Sequence, residues 1–200
     1  MPDSRTRVTG PVKGGAHGWP FAAYLEDISA LGYVEEEYFL TGVARRYRPL
    51  GAPGLDGRWS VEPAGEAPFT TRLLVQKPRD TGVFNGTVFV EWANVSSGYD
   101  VLPHDLPALL ENGCVYAAVS AQYLSVHGHD GDSKGLTSWD PQRYGSLSHP
   151  GDSFSYDIYS QAASALSPHR PSGPVDPLEG LQVQRLIAVG ASQSSWRLAA

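Results

Sequence analysis

Apolar runs of strand length recur through the second half of the chain. Thr87–Trp92 and Cys114–Ser120 are nearly continuous apolar runs, typical of strands that are buried on both faces of a parallel sheet. Between them, Asp105–Asn112 has the pattern of a short helix that ends at Gly113. A third apolar run, Leu186–Val189, follows much later. Strand, helix and strand in this order predict an α/β fold in which these strands are parallel neighbours.

The first half contains two longer strand patterns. Glu37–Tyr47 is rich in aromatic and β-branched residues and is closed by Pro49. Phe69–Lys77 begins with alternating polar and apolar residues and is closed by Pro78. Because a loop rich in glycine and proline separates them, we predict an antiparallel pair joined by a long hairpin loop.

The flanking segments complete the predicted organisation. Residues 1–33 are rich in glycine and proline with little periodicity, so we expect an N-terminal arm with one short helix near residues 22–31. Residues 34–200 are expected to form part of a single α/β domain. Within it, Phe154–Leu166 places apolar residues on one face, which predicts a helix that covers the sheet.

The last apolar run leads into a strand, a sharp turn and a helix over Leu186–Leu198. The central residue of such a turn, Ser192, is forced into a strained conformation, so the residues two before and two after it must be small. Gly190 and Ser194 meet this requirement. The turn lifts the Ser192 hydroxyl clear of the sheet. In the helix that follows, we expect the Trp196 side chain to pack. The pattern predicts a nucleophile elbow, although glycine and serine also serve as ordinary turn and N-cap residues.

Composition limits the classes of partner. The chain is 41% hydrophobic and 18% charged, which suits a globular core. It has 15 basic and 21 acidic residues, a net charge of −6 and no basic run longer than Arg45–Arg46, so we expect no nucleic-acid partner. No stretch approaches the ~18 apolar residues of a membrane span, and no signal peptide is evident. We therefore expect a cytoplasmic protein with a small-molecule partner, and a buried, inert Cys114.

A long loop region over residues 122–153 leaves the carboxyl end of a predicted parallel strand, where open α/β sheets bind ligands. It contains His127 and His129 close to Asp130 and Asp132, which is the pattern of a possible metal cluster. Two histidines with nearby carboxylates are common in polar loops, and a metal site also needs a supporting shell. We expect no metal and no cofactor, and keep metal chemistry at His127 and His129 as a distant alternative.

Four segments carry a family resemblance: Glu36–Gly42, Phe84–Ser96, Trp139–Tyr144 and Gly190–Ser194. They resemble the α/β-hydrolase fold and, within it, a bacterial family of α/β hydrolase domain proteins. The resemblance covers nearly all of the chain from about residue 33. It implies a mostly parallel sheet flanked by helices, with the elbow after the fifth strand. It also implies that the chain corresponds to the N-terminal part of such a domain, incomplete at the C-terminus.

The resemblance further implies a serine hydrolase that acts on a carboxylic ester or related acyl substrate through an acyl-enzyme. Ser192 would be the nucleophile, and the Gln193 backbone N–H the first oxyanion donor. The second donor would come from Asn94 or Val95 in the loop after the third strand, although a loop asparagine often only closes an Asx turn. The catalytic acid and histidine are expected beyond residue 200. The alternative is a catalytically silent hydrolase-like domain that binds a small molecule or a partner.

Overall fold

One mixed sheet forms the centre of the protein. The computed structural model describes residues 6–52, 54, 58–102, 108, 110–131 and 133–199. The strands among these residues are β1 Arg7–Thr9, β2 Tyr33–Pro49, β3 Val61–Pro78, β4 Thr87–Trp92, β5 Val115–Val119 and β6 Arg185–Val189. The helices are α1 Tyr123–His127, α2 Leu136–Trp139, α3 Pro141–Tyr144, α4 Ser155–Ala165 and α5 Gln193–Leu198, with 3₁₀ turns at Ile28–Leu31, Thr81–Val83 and Asp152–Phe154.

The order of the strands across the sheet is β1-β2-β3-β5-β4-β6. β4 pairs in parallel with β5 on one side and with β6 on the other. The remaining neighbours, β1 with β2, β2 with β3 and β3 with β5, are antiparallel. Consequently β2, β4, β5 and β6 all run in one direction. The predicted α/β fold with parallel neighbours at its centre is confirmed.

The antiparallel pair of β2 and β3 is longer at both ends than the sequence pattern predicts. The two strands pair from Tyr33 opposite Pro78 to Pro49 opposite Val61, with one shift of register between Arg46 and Tyr47. The outer half of β3 contains Pro63 and Pro68, which favour a loop. That half pairs with β2 alone among the described strands, and a strand with a free edge tolerates proline.

The N-terminal segment is bound to the body of the protein, which differs from the expected arm. Arg7–Thr9 extends the sheet as an edge strand on β2, and a 3₁₀ turn lies within the region where a helix was predicted. Further along, the Arg143 guanidinium donates to the carbonyl oxygens of Val12 at 3.0 Å and Gly14 at 2.5 Å. The anchoring residue is distant in sequence, so local periodicity does not reveal it. The division into residues 1–33 and 34–200 stays a prediction.

The helix α4 covers one face of the sheet, close to the predicted bounds. Ile158 and Ala162 are buried against Val88, Val90 and Trp92 of β4. The outer part of α5 behaves differently from expectation, because Trp196 does not pack and is 80% exposed.

The predicted helix between β4 and β5 lies partly outside the described residues. Ala108 and Leu110 are helical. Gly113 follows with a φ of +73°, a left-handed conformation that suits the residue ending a helix.

Candidate active site

Ser192 occupies a strained turn between β6 and α5. Its backbone has φ +54° and ψ −117°, a conformation that costs energy in any residue with a side chain. Strand and helix approach each other closely here, because a Cβ on Gly190 would lie 3.0 Å from the backbone of Ser194. The strand, turn and helix predicted from the G-x-S-x-S pattern are therefore present.

Three serines lie in or next to this turn, and their hydroxyls have different surroundings. Ser194 is buried, and its Oγ accepts from the Ala191 N–H at 2.9 Å and donates to the Ala191 carbonyl at 3.0 Å. The Ser195 hydroxyl donates to the Ser192 carbonyl at 2.6 Å. Ser192 itself is exposed, and its Oγ has no hydrogen-bond partner among the described residues. The hydroxyl of Ser194, two residues after Ser192, is thus accommodated by bonds within the turn.

The start of α5 leaves one N–H group available. Ser194 donates its N–H to Ala191 O and Ser195 donates to Ser192 O, both at 3.2 Å. The N–H of Gln193 has no acceptor within the described parts of the chain. This group lies at the first position of the helix, directly after Ser192, where an N-terminal N–H normally lacks an intrahelical partner.

The loop after β4 brings two further N–H groups to the same edge of the sheet. Ala93 donates its N–H to the Val119 carbonyl at 3.1 Å, and Asn94 forms an antiparallel bridge with Val101, whose N–H donates to Asn94 O at 2.8 Å, so the Asn94 N–H faces Val101. The N–H of the buried Val95 has no acceptor in the described residues. The Asn94 Oδ1 accepts from Ser96 N at 2.8 Å, so the Asx turn that was the alternative explanation for this asparagine is present. The same side chain also donates from Nδ2 to Ala191 O at 2.6 Å, which ties this loop to the turn that holds Ser192.

A comparison with protein families matches residues 8–200 to the alpha/beta hydrolase domain family. The chain belongs to this family. The match confirms the fold that the sequence resemblance implies. The elbow follows the sixth strand and not the fifth as predicted, because the edge strand β1 in the N-terminal segment was not expected. No curated protein and no solved structure matched in the corresponding comparisons.

Gln122 links the loop after β4 to the elbow of this hydrolase domain, a contact that the sequence does not reveal. It follows β5 and is buried. Its Nε2 donates to Ala93 O and to Gln193 Oε1, both at 3.2 Å, and Gln193 Nε2 donates back to Gln122 Oε1 at 2.8 Å. The only sequence signal was its position at the carboxyl end of a buried strand, where the functional loop region was expected to begin.

The histidines nearest this edge in the hydrolase fold have their ring nitrogens engaged by the backbone. His149 Nδ1 accepts from Gly151 N at 3.1 Å, so the ring proton is on Nε2, which donates to Ala121 O at 2.9 Å. His127 Nε2 accepts from His149 N at 3.1 Å. Burial lowers the pKa of both imidazoles, so both are neutral at pH 7. Neither ring forms a hydrogen bond with Ser192.

The described residues of this hydrolase domain contain no group of three or more His, Cys, Asp or Glu side chains arranged to hold a metal ion. Of the histidines and carboxylates kept as a distant alternative metal site, Asp132 lies outside those residues, and His127 Nε2 accepts from a backbone N–H. Cys114 is buried and accepts from Asn85 Nδ2 at 3.1 Å. Among the described helices, none combines the length and apolar character that crossing a membrane requires.

Proposed function

We propose that the protein is a serine hydrolase that cleaves a carboxylic ester or a related acyl compound through an acyl-enzyme on Ser192. The observation that carries this proposal is the exposed Ser192 hydroxyl, held in a strained turn next to N–H groups without acceptors. These groups belong to Gln193 and Val95, and the N–H of Asn94, which faces Val101, is the alternative second donor. Fixed N–H donors of this kind stabilise the negative charge that develops on a carbonyl oxygen during acyl transfer.

The reaction would proceed in two steps. Ser192 Oγ attacks the carbonyl carbon while a histidine takes its proton, and the carbonyl oxygen becomes an oxyanion. The Gln193 N–H and one N–H from Asn94 or Val95 bind that oxyanion. The tetrahedral intermediate then collapses, the alcohol leaves with the proton from the histidine, and water hydrolyses the acyl-enzyme by the same route.

The general base and its orienting acid are part of the proposal. In this fold the order along the chain is serine, then acid, then histidine. We propose that both follow position 200. The hydrogen bonds of His127 and His149 support this choice, because each ring already serves a backbone group.

The test is covalent labelling of the full-length protein with a fluorophosphonate, together with turnover of a p-nitrophenyl ester. Ser192→Ala should abolish both. Ser195→Ala is the matched control, because it removes an exposed hydroxyl one helical turn away, and it should retain both. Labelling that persists in Ser192→Ala would overturn the assignment. A folded wild-type protein without label or turnover would favour the alternative, a catalytically silent domain that binds a small molecule or partner.

A further inference from the structure

We propose that Gln122 is a positioning residue that fixes the separation between the two sides of the oxyanion hole. The inference rests on the proposed function, because it concerns the donors of that reaction. Gln122 belongs to neither of the segments that supply the donors. It lies after β5, whose neighbour β4 leads into the Asn94 loop, and its amide contacts both donor segments.

The contacts of Gln122 lie next to the donor groups. Its Nε2 donates to the carbonyl of Ala93, and that peptide unit carries the N–H of Asn94. The same Nε2 donates to the side chain of Gln193, whose backbone supplies the other donor. Gln193 returns a hydrogen bond at 2.8 Å, so the two amides form a reciprocal pair. One buried side chain thus contacts both walls of the proposed hole.

A second bridge crosses the same gap. Asn94 Nδ2 donates to Ala191 O at 2.6 Å, which joins the loop after β4 directly to the elbow. One bridge alone leaves the two segments free to rotate about it, whereas two bridges fix both distance and orientation. Oxyanion donors must be held within a few tenths of an ångström of their working position, since small misplacements cost large factors in rate.

The neutral amide is suited to this position. A glutamine donates and accepts at the same time, and both capacities of Gln122 are used. A glutamate of the same shape would lack the donor and would direct a carboxylate at Ala93 O and Gln193 Oε1. It would also add negative charge beside a developing oxyanion. Gln122→Glu therefore tests the hydrogen-bond donor and the charge of this side chain while its size and shape stay the same.

The experiment measures kcat, KM and unfolding free energy for Gln122→Glu and Gln122→Met in the full-length protein. We expect kcat to fall about 10-fold or more with KM changed by about twofold or less, since the hole binds the transition state rather than the substrate. The activity of Gln122→Glu relative to wild type should rise as pH falls and the carboxyl regains a proton. Gln161→Met is the control, because Gln161 is another buried glutamine, bonded to Val43 O and Asp157 on α4.

If the Gln122 variants do not fold, a variant of its partner Gln193 provides the same test. Gln193→Leu keeps the backbone N–H but removes the amide pair, and it should lower kcat in the same way. The double variant of Gln122 and Gln193 should lose little more than either single variant, because the two amides act as a unit.

The outcomes distinguish this inference from the proposed function. Unchanged kcat in folded Gln122 and Gln193 variants, with Ser192 still labelled, would overturn the positioning role alone. An equal loss of kcat in Gln161→Met would also overturn it, because the effect would then follow from stability. Absence of turnover and of label in the wild-type protein would overturn the proposed function and this inference together.

Discussion

Two polar clusters hold the loop after β4, and they differ in charge. The charged cluster comprises Glu37, Arg72, Asp100 and Arg143. All four are buried, with Arg72 Nη2 3.0 Å from Asp100 Oδ2 and Arg143 Nε 2.6 Å from Glu37 Oε2. The amide cluster comprises Asn94, Gln122 and Gln193, and its bonds are all between neutral groups.

The two clusters also bind different parts of the chain. Arg72 donates to Phe21 O at 2.6 Å, and Arg143 binds two further carbonyls of the N-terminal segment. The amide cluster instead joins the loop after β4 to the elbow. Breaking the charged cluster leaves a buried charge without its partner, which costs stability, whereas breaking the amide cluster changes local geometry. The comparison predicts that one cluster controls folding and the other the rate of reaction.

The largest expected effect is from Arg72→Met. Among the described side chains, Asp100 would keep only the Ser120 hydroxyl as a hydrogen-bond partner, and a buried carboxylate without a cation is strongly destabilising. The free energy of unfolding should fall by about 3–5 kcal/mol. Arg48→Met is the control, because it breaks an exposed ion pair with Glu62 and should cost less than about 1 kcal/mol. Denaturant unfolding measures both, and equal costs would contradict the distinction between the clusters.

The next effect concerns the loop itself. Proline at position 95 removes one N–H and leaves the bridging amides in place, whereas proline at position 94 also removes the Asn94 bond to Ala191 O. We expect Asn94→Pro or Val95→Pro to lower kcat by about 10²-fold or more, with KM less affected. Ser97→Pro lies in the exposed turn of the same loop and is the control for the effect of introducing a proline into this loop. If both variants fold and both keep their full kcat, the second donor lies elsewhere.

The smallest of the three effects concerns Glu91, a buried carboxyl group that has no cationic partner among the described residues. It tests whether a buried acid without a cation lowers stability, as the comparison of the two clusters implies. The Tyr116 hydroxyl donates to Oε2, whereas Oε1 has no partner within the described residues. Burial raises the pKa of Glu91 to about 7, the nearby Asp100 adds to the rise, and the Tyr116 bond opposes it.

The sign of the pH dependence follows from this raised pKa. The folded protein holds the Glu91 proton more strongly than the unfolded chain, so the free energy of unfolding should fall as pH rises from about 4.5 to about 7. Glu91→Gln should gain roughly 2 kcal/mol over wild type between pH 5 and pH 8. Glu62→Gln, on an exposed strand, should show no such gain. Denaturant unfolding at pH 5 and pH 8 measures the difference in unfolding free energy between Glu91→Gln and wild type. A difference that does not change with pH would contradict a raised pKa of Glu91.

The centre of the fold could be predicted because its signals are local. β4 and α5 have the predicted bounds, since a strand buried on both faces is continuously apolar and an elbow needs small residues on each side of its serine. The N–H groups near Ser192 follow from the fold in the same way. Backbone geometry at these points depends on a few consecutive residues.

The clusters could not be predicted, because each joins residues far apart in sequence. Arg143 and Val12 are 131 positions apart, and Gln122 and Gln193 are 71 apart. A single glutamine after a strand has no periodic or spacing signal, so only the packed structure shows where its amide is bound. The edge strand β1 depends on the same long-range anchoring of the N-terminal segment. Trp196 was expected to pack, yet 80% of it is exposed.

The most direct test of the central claim is a crystal structure of the full-length protein after reaction with a fluorophosphonate. The account predicts phosphorus bonded to Ser192 Oγ. It also predicts the phosphoryl oxygen at about 2.7–3.1 Å from the backbone nitrogen of Gln193 and from that of Asn94 or Val95. Phosphorus on another residue, or a phosphoryl oxygen on Ser192 that accepts from none of these nitrogens, would contradict it.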